Sequence, residues 1–260
     1  MPKRMVRPDE QFGEDHGLIH EVVVTGRKVG ATRAFWAELA HNATLFSRVV
    51  EFVNTLGHEP SLSEQRAQSI MGKNFLGVDE VATHFHARFT IDELATLSYV
   101  PFSEEVLRRC ASTHLLVAGY PMSIMDIKAV APEDAFYDDD RPWYRTHAFA
   151  TNQKMGLRWH LIGKDINELS PHLHFDEQEK LLASDETVPR ACELVYAMVL
   201  NFMVNKERLF GDVYVHCAEK GDDNARICIG NFDETGLGIV SNWDDMRPGR
   251  VGITTIKVSS

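Results

Sequence analysis

No apolar stretch in the sequence is long enough to cross a bilayer. The most hydrophobic run, Tyr196 to Val204, is interrupted by Asn201 and falls well short of the roughly 20 residues a membrane helix needs. Cysteine is sparse: Cys110, Cys192, Cys217 and Cys228 stand far apart with no CxxC spacing. In a chain of 260 residues no disulfide framework is needed, so reduced, buried thiols of a cytoplasmic protein are expected. A secretory leader is not indicated either, because the basic start MPKRMVRPDEQF runs into acidic residues where an apolar segment would be required. Low-complexity tracts are missing as well. With 44% hydrophobic and 25% charged residues the composition is that of a folded protein.

Positive charge is in deficit. Lys and Arg number 27 against 38 Asp and Glu, a formal charge of −11 that repels a phosphate backbone unless the cations cluster. The short catalytic signatures are also missing: no GxxxxGK[ST], GxGxxG, HExxH or GxSxG occurs. No nucleotide cofactor is therefore predicted. Whether the chain is an enzyme stays open, and no catalytic residue can be named.

Patterning predicts an α+β protein. Glu21–Thr25 (EVVVT) has strand composition. It is followed by an amphipathic helix from a Thr32 cap to about Leu56, with Trp36, Leu39, Phe46, Val50 and Val53 on one face and Gly57 as its stop. This gives an N-terminal strand-helix unit over 1–57. The polar segment 58–70 (HEPSLSEQRAQSI) reads as a linker. Residues 71–260 then form a helical module leading into the main α+β domain. Three short helices are expected at about 78–85, 91–98 and 104–111, with Thr90 and Glu93 as a capping box and Ser103 as a cap. Strands are expected at 114–120 and 157–162. A helix after Pro189, apolar on a wide arc from Ala191 to Phe202, is expected at the domain's centre, packed on a mixed or antiparallel sheet of DVYVHCA, ARICIGNF, LGIVSNW and VGITTIKV.

A few constellations carry candidate chemistry. Residues 76–99 have a helix-turn-helix rhythm, but the turn that would enter the major groove carries Asp92 and Glu93, which suits DNA badly. Packing is the better reading. His84 with His86, and His172 with His174, are HxH pairs. On a strand such a pair shares one face and could hold a metal ion. The second pair has Asp176 and Glu177 nearby, so His172, His174 and Asp176 are the metal candidates, and a divalent metal is the one cofactor the residues suggest. The acidic run Asp138, Asp139 and Asp140 could contribute oxygens, although a solvated acidic loop is the better reading. Asp233 and Glu234 read as turn residues. Arg141, Trp143, Tyr144 and Arg145 interleave basic and aromatic groups as a stacking platform for a base or sugar would, and they form the candidate binding patch.

The runs MGKNFLGVDEV, PFSEEVL, WYRTHAFA, ERLFGDVYV and GNFDETGL resemble a family of bacterial proteins known mainly from genome sequences and without assigned activity. The resemblance spans roughly residues 71–240 and implies no mechanism, cofactor or site residue. The expectation is a non-enzymatic cytoplasmic binding or interaction protein. Its partner would be another protein sooner than nucleic acid, and not a membrane. The alternative is a metal-dependent hydrolase built on the His and carboxylate ligands.

Overall fold

The computed structural model describes residues 8–137, 142–221, 224–242 and 249–258, and holds eleven α-helices and nine β-strands among them. The expected α+β class is what the chain adopts. It divides into two compact units, residues 1–50 and 51–260.

The first unit contains α1 (Pro8–Lys28), α2 (Arg33–His41) and most of α3 (Ala43–Asn54). The strand expected at Glu21–Thr25 is absent, since those residues lie inside α1. Three valines favour a strand only where a neighbouring strand can pair with them, whereas a helix satisfies its backbone within the segment. The single helix expected from Thr32 to Leu56 is two helices broken at Asn42. The Asn42 side chain accepts the Leu45 N–H at 3.0 Å, and its own N–H reaches the Glu38 carbonyl, so one residue ends α2 and starts α3. Thr32 caps α2 as expected. The expected buried stripe, however, faces solvent: Phe46 is 51% exposed and Val50 41%.

In the second unit, residues expected to form a linker instead hold α4 (Leu62–Met71), which buries Glu64, Ala67 and Met71. Its start is a capping box in which Ser61 Oγ accepts the Glu64 N–H and the Glu64 carboxylate accepts the Ser61 N–H. After β1 (Phe75–Leu76) come α5 (Val78–Phe85), α6 (Ile91–Leu97) and α7 (Glu104–Cys110), at the expected places. Val78, Val81, Ala82 and Phe85 turn α5 into the core, and the Thr90–Glu93 capping box starts α6. This segment is a packed helical hairpin. Next in order are β2 (His114–Ala118), α8 (Ile124–Val130), α9 (Ala148–Thr151), β3 (Trp159–Gly163), α10 (Phe175–Glu179) and β4 (Glu186–Thr187).

The helix after Pro189, α11 (Ala191–Asn205), is buried at every position from Ala191 to Phe202, and it packs against α5, α8 and α9 and against two strands of the C-terminal sheet. Its wide apolar arc predicts this many-sided contact. Tyr196, fully buried, donates its hydroxyl to the Ala118 carbonyl at 3.1 Å, joining α11 to the end of β2. We expect Tyr196→Phe to lower the unfolding free energy by about 1–2 kcal/mol in urea titration, because a buried acceptor loses its donor while the ring packing stays.

The C-terminal strands are β5 (Tyr214–Lys220), β6 (Arg226–Asp233), β7 (Gly236–Asn242), β8 (Val251–Gly252) and β9 (Ile256–Lys257). One sheet runs β1-β2-β3-β9-β4, with only β1 and β2 parallel; the other runs β7-β6-β5-β8, with β8 parallel to β5. The segment VGITTIKV, expected as one strand, is thus shared between the two sheets. Between its halves the Ile253 carbonyl accepts the Asn167 N–H and the Thr255 carbonyl accepts the Gly163 N–H, so a loop takes the place of a strand neighbour. No helix among the described residues is long and apolar enough to cross a membrane.

Candidate functional site

A cleft of the second unit lies where residues 136–137 and 142–144 meet the β6–β7 hairpin. At one end Phe136 pairs with Leu237 and the Tyr137 N–H donates to the Leu237 carbonyl at 3.1 Å. At the other, Trp143 Nε1 donates to the Ile239 carbonyl at 3.0 Å. Both anchors fall on β7, so Tyr137 and Trp143 are held to one strand while aromatic side chains stand around a cavity of about 320 Å³. The first anchor depends on Gly236, whose φ of +107° and close approach exclude a side chain: an added Cβ would lie 2.2 Å from the Phe136 carbonyl carbon.

The cavity is walled by Tyr137, Trp143, Tyr144 and Tyr214, with Asn231 and Thr235 as its polar side chains. Tyr137 is 59% exposed and Trp143 39%, so ring faces are open to solvent, whereas Tyr144 is buried. Trp143 is braced edge-on by Tyr144 and His147 and rests against Phe149. With its N–H already engaged, it contributes a fixed ring face. Burial pushes the Tyr214 hydroxyl above its ordinary value, and the Asp233 carboxylate adds to this, so it stays protonated and able to donate. Asn231, at φ +48°, donates through Nδ2 to Asp233 Oδ2, and Asp233 Oδ1 accepts both the N–H and the hydroxyl of Thr235, the turn role expected for it. Among the described residues, none that lines the cavity carries a charge. This chemistry suits stacking and hydroxyl recognition.

Of the sequence-derived binding patch, Trp143 and Tyr144 line this cavity. Arg145 is exposed beside it and is not part of its lining, and Arg141 lies outside the described residues, as do Asp138, Asp139 and Asp140. Tyr137, Tyr214, Asn231 and Thr235 were not anticipated. The dense glycines of GNFDETGLG, which mark a hairpin another backbone can approach closely, are the signal that points to them.

The histidine pairs lie elsewhere. His172 is exposed in a turn at φ +67°, His174 is the residue before α10, and Asp176 is exposed in its first turn. Glu177 accepts the His174 N–H at 3.0 Å. The two imidazoles do not sit on a strand, the setting that would give them a common face. His84 lies in the last turn of α5 and His86 follows the helix in the left-handed region, so this pair is not on a strand either. Among the described residues no group of three or more His, Cys, Asp or Glu side chains is placed to hold a metal ion. The four cysteines are all buried and form no disulfide.

A different polar cluster lies at the start of α11. Glu193, 3% exposed, accepts the Arg190 N–H at 2.9 Å and an Arg190 guanidinium N–H at 3.0 Å, and stands 3.6 Å from the buried His160 ring. Neighbouring Glu219 accepts the Ala191 N–H at 2.9 Å. These contacts begin a buried helix and are accounted for structurally. Comparison with family models, with curated proteins and with solved structures finds no match for this chain.

Proposed function

We propose that this is a cytoplasmic, non-enzymatic binding protein whose cleft at Tyr137, Trp143 and Tyr214 takes a neutral, hydroxylated ring compound, a sugar or an unphosphorylated nucleoside. The observation that carries the reading is the convergence of three partly open aromatic rings on one cavity whose described lining residues are uncharged. Aromatic faces stack on a pyranose or a base, and Asn231, Thr235 and the protonated Tyr214 hydroxyl supply directional hydrogen bonds to hydroxyls. The Asp233 carboxylate at the rim disfavours a phosphate, as does the overall charge of −11. Four buried cysteines that form no disulfide fit a reducing compartment.

The test is saturation-transfer NMR with a panel of mono- and oligosaccharides in one arm and nucleosides in the other, repeated on Trp143→Ala. Binding in either arm that Trp143→Ala weakens by about 10-fold or more supports the reading, since one stacked ring contributes about 1–3 kcal/mol. Absence of transfer in both arms, or transfer indifferent to Trp143, overturns it. Trp143→Phe keeps a ring but loses the donor to Ile239, and should bind several-fold more weakly with a melting temperature lower by a few degrees.

A further inference from the structure

Residues 16–50 contain no buried residue, yet they lie in three helices. Helices of 9 and 12 residues whose inner faces, such as Trp36 and Leu39, are only half-buried are marginal in water, and a unit of about 50 residues without a fully buried core usually requires oligomerisation or a staple. Large apolar side chains instead stand in solvent. On α1, Leu18 and Val22 are 64% and 58% exposed and stand four residues apart on one face, and Val29, just past the end of the helix, is 81% exposed. Ile19 and Val24 add to the apolar surface of α1, Phe35 extends it on α2, and Phe46, Val49 and Val50 extend it on α3. At these exposures the nine side chains present on the order of 800 Å² of apolar surface, one partner's share of a standard protein interface.

We propose that residues 1–50 are a self-association surface on which α1 of a second copy of this chain packs antiparallel about a two-fold axis. Charge selects the occupant and its direction. Residues 1–50 carry seven basic and six acidic residues, a net +1, which leaves −12 on residues 51–260. Two copies therefore meet through the first unit against +1 on each side, whereas contact through residues 51–260 would bring −12 against −12. Along α1 the sequence runs from Asp9, Glu10, Glu14 and Asp15 to Arg27 and Lys28 in the last turn. An antiparallel copy brings opposite charges together at both ends, whereas a parallel copy brings like charges together. A two-fold contact of this kind is self-complementary and closes at two chains.

Sedimentation equilibrium of the full chain tests the proposal. A dimer is expected. Leu18→Glu with Val22→Glu should weaken it at least 100-fold while the thermal transition of residues 51–260 stays where it was, which separates loss of the interface from loss of folding. Zero-length carbodiimide cross-linking of a mixture of isotope-labelled and unlabelled chains should join Lys28 of one copy to Glu10 or Glu14 of the other. A full chain that stays monomeric at its highest soluble concentration overturns the proposal, and so does a dimer indifferent to the double substitution. Intermolecular links that never join the two ends of α1 overturn the antiparallel arrangement.

Discussion

Raising the pH from about 6 to 10 should cost residues 51–260 about 2–3 kcal/mol of stability that a His58→Gln variant does not lose. His58 is only 8% exposed in its side chain and lies between two carboxylates, with Nε2 3.4 Å from Glu64 Oε1 and Nδ1 3.6 Å from Asp79 Oδ1. Asp79, and after it Glu64, raise the imidazolium to about 9 from an ordinary 6.5, against the opposing cost of burial. Glu64 belongs to the capping box of α4 and Asp79 to the first turn of α5, so the protonated ring ties two helix starts together. Because the folded value is the raised one, the contribution is complete below 6.5. It is lost as the pH climbs from 6.5 through about 9. One unit is worth 1.36 kcal/mol, and the partial exposure of Asp79 trims the full shift to the range stated. Urea unfolding of both proteins across this range gives the answer. Stability curves that run parallel from pH 6 to 10 would show that the ring does not carry this charge.

The helix starts that His58 joins also show where sequence reasoning succeeds and where it stops. The positions of α5, α6 and α7 follow from local chemistry alone: an apolar i, i+3, i+4 stripe plus caps at Thr90 and Ser103 that fix each first turn. For α4 the same capping box, Ser61 with Glu64, was present in the sequence but overshadowed by the polarity of the residues around it. Polarity reports exposure, and a helix can be polar on most of its surface while Ala67 and Met71 still reach the core. The two other misplacements depend on distant partners. Glu21–Thr25 lacks a strand to pair with, and VGITTIKV is divided because residues 163–170 bind its middle. No window of ten residues contains that information.

The cleft was legible to the same extent. Trp143 and Tyr144 could be singled out because interleaved aromatic and basic residues are a local signal. Their partners Tyr214, Asn231 and Thr235 arrive from the β5–β7 meander, and the pairing of Phe136 with Leu237 and the Trp143 bond to Ile239 bring the two regions together. The histidine pairs illustrate the converse. Their value as ligands rested on a strand geometry, and a turn at His172 supplies a different one.

On the acid side a second histidine should act in the opposite direction to His58. His160 is 1% exposed, and its Nε2 lies 3.0 Å from the Gly156 carbonyl, which requires the proton on that nitrogen. Nδ1 is then a bare acceptor, without a hydrogen-bond donor, facing Glu193 Oε1 at 3.6 Å. Two effects compete there. Burial opposes a second proton and the carboxylate invites it, but Glu193 already serves Arg190 and stands 3.7 Å from Arg158, so burial prevails and holds the ring down at about 4. The folded protein therefore keeps His160 neutral as the pH falls from 6.5 to about 4, while the unfolded chain takes up a proton. Stability is lost through that window, by up to about 3 kcal/mol. Together with His58 this gives a histidine contribution that peaks near pH 6.5 and declines on both sides. Carboxylates elsewhere add their own acid slope to the wild type and to a His160→Gln variant alike, so the difference between the two isolates the ring. That difference should shrink steadily from pH 7 to 4. A difference that grows in acid would mean that the Glu193 carboxylate outweighs burial and that an imidazolium–carboxylate pair forms at the start of α11.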